Sequence, residues 1–377
     1  ALTRQRYPKT GGVNPTVRLG VLELASGKTT WVDLSKHEHE YIVRVNWLND
    51  SRRLAVQTMD RSQTRLDLFF VDREEGQPTH ILTERDKGWV NIHDDLYFLK
   101  KSERFLWASE RSGYMHLYLY DLEGKLLGPV TSGDWAIRSA AGAVSWLRQA
   151  VHSIDEEGGW VYFTSIRKSS IEKHLYRVRF DGSGLERLTK KAGTHGIGFS
   201  ENGQFYFNQH SSGSTPPSLA LHARDGSQLE VVASARPEIF SRLGMRAPEQ
   251  FSISTSDGFR MPAQLLKPAG FRPGRKYPVI MHVYGGPAAP MVKDAWPSRT
   301  YFDQVLLNHG YVVFRCDNRS ATARSKALEN GILHDAWGSG ELADLLEAIG
   351  WLLSLIHISA PTRRYAISYA VFSLKKK

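Results

Sequence analysis

Two shortages in the sequence limit what the protein can be. The 377 residues include a single cysteine, Cys316, so no disulfide can form within the chain. Cys316 lies in the apolar run YVVFRC, which is typical of a reduced thiol inside a strand. A Cys-His protease is the alternative interpretation, but no neighbouring residue would lower the pKa of this thiol. The cysteine content therefore favours a structural thiol and an ordinary hydrophobic core.

Long apolar runs are also missing. No segment approaches the roughly 18 apolar residues that a membrane span requires, so we expect no spanning helix. The opening residues, ALTRQRYPKT, lack the apolar core of a secretory signal. We therefore expect this beginning to be internal to a longer protein, and the compartment, periplasmic or cytoplasmic, stays open.

The charge balance does not favour nucleic-acid binding. The formal net charge is +10, but five basic residues lie in the last 25 positions, which contain no acid. The other basic residues are scattered among acids and form no one-sided stripe. Hydrophobic residues at 41% and charged residues at 23% are ordinary for a folded protein, and this length favours two domains.

A repeat occupies residues 1–235. Five times an alternating strand, a turn with glycine and a second strand follow one another, which predicts five β-hairpins. The hairpin segments are VRLGVLELASGKTTWVDL, LDLFFVDREEGQPTHIL, LYLYDLEGKLLGPV, LYRVRFDGSGLERLT and LALHARDGSQLEVVA. Their turn glycines are 49, 48, 58 and 44 residues apart, which is the period of a four-stranded propeller blade.

Further strand pairs lie between the hairpins. They are VNWLNDSRRLAVQT, YFLKKSERFLWAS and IGFSENGQFYFNQ, each with a polar turn between two apolar runs. Because the repeat keeps one length with four strands per period, a propeller is favoured over a sandwich. We predict a partial β-propeller of about five blades.

Two polar clusters in the repeat suggest sites but have simpler explanations. HEHE, His37 to Glu40, could place two histidines on one face of a strand, yet nothing indicates a third metal ligand. We interpret it as a solvated loop. Asp155, Glu156 and Glu157 could hold a substrate amine, but they precede two glycines, as turn acids commonly do.

The pattern changes after residue 235. KYPVIMHVY and YVVFRC are continuous apolar runs, typical of strands buried on both faces, and SRTYFDQVLLNHG lies between them as a helix. For this helix we predict a Thr300–Asp303 capping box, an end at Gly310, and inward side chains at Tyr301, Phe302, Val305 and Leu306. A second helix, SGELADLLEAIGWLL, should begin at Ser339 with an apolar stripe of Leu342, Leu345, Leu346 and Ile349.

Several segments in this order resemble the prolyl oligopeptidase family, in its dipeptidyl peptidase IV branch. They are RYPKTGGVNPTVRLGVLEL, the repeat, KYPVIMHVYGGP and CDNRSATARSKALENGILHDAWGSGELADLLEAIGWL, and they cover residues 1 to about 352. The resemblance implies a β-propeller, residues 1–235, followed by the N-terminal half of an α/β-hydrolase domain, residues 236–352.

The resemblance also assigns site residues. It implies that Tyr284 lends its hydroxyl to an oxyanion hole, where a rigid phenol can donate to a tetrahedral intermediate; a packed core tyrosine is the alternative. Trp89 and His93, in GWVNIHDD, resemble a propeller segment that faces the substrate cleft. Asp317 to Arg319 are interpreted as structural, with the arginine paired to local acids.

The nucleophile that this chemistry needs is missing from the sequence. No G-x-S-x-G elbow occurs, and the expected region instead reads LSLIHISAPTRRYAISYAVFSLKKK. Residues 353–363 and 367–377 match translated sequencing-adapter codons except at Ala360 and Ser373. We therefore interpret residues 353–377 as a non-native tail.

The leading hypothesis is a fragment of a serine exopeptidase that, when complete, removes N-terminal dipeptides from peptides, after Pro or Ala. The fragment itself should be inactive, with no cofactor and no metal, and the complete protein could form a homodimer. The alternatives are a noncatalytic propeller that recruits partners, and an acylaminoacyl peptidase or oligopeptidase of the same architecture.

Overall fold

The computed structural model describes residues 8–138, 149–242, 244–296, 300–334 and 338–355. The chain divides into two compact units. The first unit comprises residues 1–167 and 175–188, and the second comprises residues 168–174 and 189–377.

The first unit is built from antiparallel sheets in sequence order. A two-stranded sheet consists of β1 (Gly20–Leu22) and β2 (Thr29–Trp31). Three four-stranded sheets follow, formed by β3 (Tyr41–Trp47), β4 (Arg53–Met59), β5 (Arg65–Asp72) and β6 (Pro78–Arg85); by β7 (Leu96–Phe98), β8 (Arg104–Ser109), β9 (His116–Asp121) and β10 (Leu126–Pro129); and by β11 (Val151–Asp155), β12 (Trp160–Ser165), β13 (His174–Arg179) and β14 (Glu186–Arg187). In each four-stranded sheet, consecutive strands are neighbours, as in propeller blades.

The second unit contains a further blade. β15 (Thr194–Phe199), β16 (Phe205–Ser211), β17 (Ser218–Ala223) and β18 (Gln228–Ser234) form a fourth four-stranded antiparallel sheet, with its strands in the same order. All five predicted hairpins are therefore confirmed, as β1–β2, β5–β6, β9–β10, β13–β14 and β17–β18. The strand pairs predicted between them are confirmed as well.

Successive sheets of the first unit pack face to face. One core cluster joins Leu68 and Phe70 of β5 to Trp107 of β8 and Tyr120 of β9. A second joins the other face of the β7–β10 sheet to β11–β14. This burial of one sheet by the next is why a repeat of this length folds as stacked blades.

The predicted turn glycines differ in what surrounds them, which gives a test of the fold. Gly27 and Gly124 both have positive φ, at 71° and 86°. A Cβ at Gly27 would meet nothing within 4 Å, whereas one at Gly124 would lie 2.5 Å from the carbonyl oxygen of Ile81 in β6. Gly124 therefore marks a close approach of two blades.

We expect Gly27→Ala to lower the free energy of unfolding by about 1 kcal/mol, the cost of a left-handed non-glycine residue. Gly124→Ala should cost at least about 1 kcal/mol more, because backbone must also move. Urea unfolding of the two variants measures the difference. Equal losses in both would contradict the close packing of β5–β6 and β9–β10.

The remainder of the second unit is an α/β layer structure. Its sheet has the order β19 (Glu249–Ser254), β20 (Arg260–Leu266), β22 (Val312–Cys316), β21 (Val279–His282). β21 and β22 run parallel, whereas β20 is antiparallel to both β19 and β22. The helices are α1 (Pro237–Arg242), α2 (Thr300–Asn308), α3 (Lys326–Glu329) and α4 (Ser339–Leu355), with 3-10 turns at Arg319–Thr322 and Asn330–His334.

The helices cover this sheet through two separate clusters. Ala348 and Leu352 of α4 pack in one cluster with Phe314 and Cys316 of β22. Leu307 of α2 packs in the other with Val313 of β22 and Leu266. Because Val313 and Phe314 are adjacent in a strand, the two clusters lie on opposite faces of the sheet. The predicted strand–helix–strand unit is confirmed.

The predicted inward face of α2 is wrong at three of its four positions. Tyr301 and Phe302 are 66% and 51% exposed, and Val305 is also exposed, whereas Leu307 and Asp303 are buried. Leu306 is half-buried and packs against the cluster of Leu307, as predicted. The predicted capping box stays a prediction, because the Thr300 side chain lies outside the described residues. Asp303 Oδ2 accepts a hydrogen bond from Arg315 Nη2 at 2.6 Å, and Asp303 Oδ1 has no partner among the described residues.

The end of α2 agrees with the prediction. Gly310 has φ 81° and donates its N–H to the carbonyl of Leu307, so it terminates the helix in the left-handed conformation.

The predicted stripe of α4 is wrong in part. Leu346 and Ile349 are exposed, while Ala348 and Leu352 are the buried positions together with Asp344. The helix is apolar on more than one side, so periodicity alone could not tell which side meets the sheet. It also continues to Leu355, three residues into the segment predicted to be non-native. Residues 356–377 of that segment lie outside the described residues.

Candidate functional site

The carboxyl ends of the parallel strands β21 and β22 lie at the same edge of the sheet. Tyr284 follows β21 by two residues, and Asp317 follows β22 directly. In α/β sheets, ligand and catalytic groups gather beyond the carboxyl ends of parallel strands. The tertiary structure thus places Tyr284 where a catalytic group is expected.

The Tyr284 side chain is open to solvent. It is 59% exposed, and its hydroxyl forms no hydrogen bond with any described residue. The ring packs against the following turn, because a Cβ at Gly286 would lie 2.7 Å from Tyr284 Cε1. Gly285, with φ 82°, makes the reversal. The packed core tyrosine, which was the alternative interpretation, does not agree with this exposure.

Such a phenol can act as a hydrogen-bond donor. An exposed hydroxyl at a strand end can reach the negative oxygen of a tetrahedral intermediate, and the adjacent turn limits the directions of the ring. The donor role of Tyr284 stays a prediction, because the chain contains no nucleophile elbow to define where that oxygen would lie.

Residues after β22 hold the loop after β21. Asp317 accepts hydrogen bonds from the backbone N–H groups of Met291 and Val292, at 2.8 and 2.9 Å. Burial raises the pKa of its carboxyl to about 7 against the lowering effect of these two donors. Asn318 donates from Nδ2 to the carbonyl of Gly285 at 3.2 Å.

Arg319 pairs with two acids, as predicted. Its guanidinium Nη2 lies 2.6 Å from Asp344 Oδ1 of α4, and Nη1 lies 2.8 Å from Asp257 Oδ2. These hydrogen bonds raise the pKa of Arg319 and lower that of Asp257. The structural interpretation of Arg319 is therefore confirmed.

Trp89 and His93 lie in the first unit, in the segment before β7. Trp89 is half-buried, and its Nε1 donates to Asn91 Oδ1 at 2.9 Å. His93 is only 6% exposed, and its ring meets Trp107 edge-on at 4.7 Å. Burial lowers the pKa of His93 to about 4, so the ring is neutral at pH 7. Their contact with substrate stays a prediction.

The two polar clusters in the repeat behave as loop and turn residues. His37 packs on Phe69 with ring centroids 4.5 Å apart, and His39 Nδ1 lies 2.8 Å from the His37 carbonyl. Within the described ranges, no group of three potential ligands could hold a metal ion.

The acidic run also serves a structural role. Asp155 caps the N–H of Gly158 at 3.0 Å, as expected of a turn acid. Glu156 accepts from the N–H groups of Lys100 and Lys101 in the neighbouring sheet, and Glu157 forms an ion pair with Lys101. These acids therefore join two blades.

The thiol of Cys316 is buried in β22, and burial raises its pKa. A thiolate nucleophile requires the opposite shift. This agrees with the structural interpretation of the cysteine.

Sequence reasoning missed a row of buried histidines in the second unit. The ring of His195 lies 5.1 Å from His174 and 4.7 Å from His210. Its Nδ1 lies 2.9 Å from Asn208 Oδ1 and its Nε2 lies 3.0 Å from the Lys191 carbonyl. No sequence signal connects these residues, because they come from different strands.

The chain is similar in sequence to known proteins. A family model described as the dipeptidyl peptidase IV (DPP IV) N-terminal region matches residues 2–217. Dipeptidyl peptidase 8 of Mus musculus is 27% identical over 418 residues, covering 93% of this chain and 46% of the relative. Dipeptidyl peptidase 4 of Trichophyton rubrum is 26% identical, covering 87% of this chain and 43% of the relative.

Solved structures show the same architecture. The crystal structure of Porphyromonas gingivalis dipeptidyl peptidase 4 superposes with a TM-score of 0.82 at 27% identity, covering 94% of this chain and 48% of that chain. A putative dipeptidyl aminopeptidase IV from Bacteroides ovatus has a TM-score of 0.80 at 23% identity, covering 94% and 52%. The predicted fold class is confirmed, and the chain spans about half the length of the relatives it matches.

Proposed function

Because the chain belongs to the family defined by the dipeptidyl peptidase IV N-terminal region, we propose that it is part of a serine exopeptidase that removes dipeptides from the N-termini of peptides. Proline or alanine is the proposed residue before the cleaved bond. The observation that carries this proposal is the family match over residues 2–217, joined in one chain to an α/β layer that presents Tyr284 at its carboxyl edge.

In this proposal the propeller and the hydrolase part have separate roles. Residues 1–235 form the propeller, residues 236–352 the hydrolase part, and residues 353–377 a non-native tail. The propeller residues Trp89 and His93 contact peptide substrate, and Tyr284 stabilises the oxyanion.

In the described part of the chain, no helix is long and apolar enough to cross a bilayer. A homodimer of the complete protein belongs to the proposal, and light scattering of that protein tests it.

The chemical step places one demand on Tyr284. When a serine attacks the peptide carbonyl, the bond to nitrogen breaks only after the carbonyl oxygen has become negative. A hydroxyl that donates more strongly to that oxygen than to the ground-state carbonyl lowers the barrier. In this proposal the exposed phenol of Tyr284, whose ring lies against Gly286, supplies that hydroxyl.

The 377-residue chain should release no p-nitroaniline from Gly-Pro-p-nitroanilide above background, because it has no G-x-S-x-G serine. The complete protein, expressed from the source gene, should release it. Tyr284→Phe in that protein should lower kcat by about 100-fold, the loss of one oxyanion donor.

Three other outcomes would contradict parts of this proposal. Hydrolysis by the 377-residue chain that Tyr284→Phe abolishes would overturn the proposed absence of a nucleophile. A source gene that encodes a stop after Trp351 in place of an elbow serine would favour the noncatalytic binding protein. Full activity of the Tyr284→Phe protein would remove Tyr284 from the oxyanion hole.

A further inference from the structure

The loop that follows Tyr284 is held by one short segment, residues 317–320. Four backbone groups between residues 285 and 292 hydrogen-bond to this segment. They are the Gly285 carbonyl with Asn318 Nδ2 at 3.2 Å, the Ala288 N–H with the Ser320 carbonyl at 2.8 Å, and the Met291 and Val292 N–H groups with Asp317 at 2.8 and 2.9 Å. We call residues 317–320 the loop clamp.

Asn318 is the member of the loop clamp that acts nearest to Tyr284. It is 1% exposed, and its Nδ2 donates both to the Gly285 carbonyl and to Ser320 Oγ, the latter at 3.0 Å. Its Oδ1 has no hydrogen-bond partner among the described residues. A buried amide with an unsatisfied oxygen costs stability, so the two donated bonds have to offset that cost.

The bond to Gly285 acts on the tyrosine through the turn. Gly285 adopts φ 82°, and Gly286 leaves the space that the Tyr284 ring occupies. The direction of the ring therefore depends on the backbone angles of these two glycines. Glycine backbones have wide conformational freedom, so an external hydrogen bond is needed to select one conformation.

The loop clamp is itself anchored. The N–H of Arg319 donates to Asp344 Oδ2 at 2.8 Å, and its guanidinium reaches both oxygens of the same carboxylate. Asp344 lies in α4 and is 1% exposed. Charge-assisted, bidentate pairs of this kind fix geometry as well as adding energy. The clamp thus connects the Tyr284 turn to a rigid helix.

We propose that Asn318 is a positioning residue that sets the orientation of Tyr284 through the carbonyl of Gly285. Asn318 does not touch the reacting atoms. The catalytic consequence of this positioning rests on the proposed function, whereas the effect of Asn318 on the ring does not.

The experiment observes the ring directly. Tyr284 is replaced by 3-fluorotyrosine in the 377-residue chain, and its ¹⁹F resonance is recorded for the otherwise unchanged protein and for variants. Asn318→Asp keeps the size of the side chain but removes the donor to Gly285. We expect the resonance to shift and broaden, because the two-glycine turn samples more conformations. Gly286→Ala should also shift it, by displacing the ring.

Asn208→Asp is the matched control. Asn208 is also a buried amide of the second unit, but its partner is His195 in β15. Loss of a buried amide bond in general affects both variants, so only Asn318→Asp should change the Tyr284 resonance. Asn318→Ser, which introduces no buried charge and is too short to reach Gly285, is measured alongside and keeps the test valid if Asn318→Asp does not fold.

A Tyr284 resonance that stays at its original position and width in folded Asn318→Asp or Asn318→Ser protein overturns the proposal. An equal change in Asn208→Asp does so too, because the effect would then be general. The readout needs no hydrolysis. Failure of the proposed function, seen as full activity of Tyr284→Phe in the complete protein, is therefore a separate result.

Discussion

Asp303→Ala should lower the free energy of unfolding of the second unit by about 3 to 5 kcal/mol, the usual cost of leaving one partner of a buried ion pair alone. Asp303 is 0% exposed, and Arg315 beside it in β22 is also buried. The alanine variant would leave the guanidinium without its carboxylate in a low-dielectric site. Hydrogen exchange of a peptide covering β22 measures the loss locally.

The double variant Asp303→Leu with Arg315→Met tests whether the lost stability comes from the unpaired guanidinium. Removing both charges avoids the unpaired guanidinium, so most of the lost stability should return. Asp257→Ala is the control, because Asp257 pairs with Arg319 at a solvent-exposed site. Solvent screens that pair, so its loss should cost much less than the loss of the buried pair. If Asp303→Ala cost no more than this control, the pair would not be a buried structural element.

Acid should weaken the second unit through His195. Burial lowers the pKa of His195 to about 4 from an ordinary 6.5, with smaller contributions from His210 and His174. Between pH 6.5 and pH 4, His195 is therefore protonated in the unfolded chain but neutral in the folded protein. Stability from this side chain is complete above pH 6.5 and is lost as the pH falls to 4, by about 3 kcal/mol in total.

The comparison must isolate His195, because Asp317 titrates with the opposite sign. Its pKa is raised to about 7, so it gains stability as the pH falls below that value. We therefore expect the difference in unfolding free energy between the original protein and His195→Gln to shrink by about 3 kcal/mol between pH 7.5 and 4. Hydrogen exchange of β15 and β16 peptides provides the readout.

His93→Gln is the internal control for this experiment. His93 also has a pKa lowered to about 4 by burial, but it lies in the first unit. Its replacement should change the pH dependence of β8 peptides and leave that of β15 and β16 unchanged. A His195→Gln protein with the same pH dependence as the original would contradict a neutral, buried His195.

Much of the fold could be predicted because its signals are local. A hairpin needs only a turn glycine and alternation on either side, so the hairpins of the repeat and the strand pairs between them were predicted. The change to continuous apolar runs likewise indicated parallel strands buried by helices. The burial of Cys316 followed from the same pattern.

Helix faces were predicted less well. On α2 the apolar side chains of Tyr301 and Phe302 lie exposed, while the charged Asp303 is buried. Periodicity assigns the apolar side to the core, but the position of Arg315 on the facing strand reversed that choice. An ion pair between a helix and a strand cannot be predicted from the hydrophobic periodicity of either element.

The sequence by itself determined the five hairpins, the change of architecture after residue 235 and the position of Tyr284 beyond an apolar strand, because turn chemistry and strand period act over a few residues. Tertiary structure alone decided that Asn318 holds Gly285, 33 residues away, that Asp303 pairs with Arg315, and that His195 lies in a row of buried rings. The physical reason is that each of these depends on which distant group fills the space beside a side chain. Packing of separate strands and helices sets that, and local sequence does not.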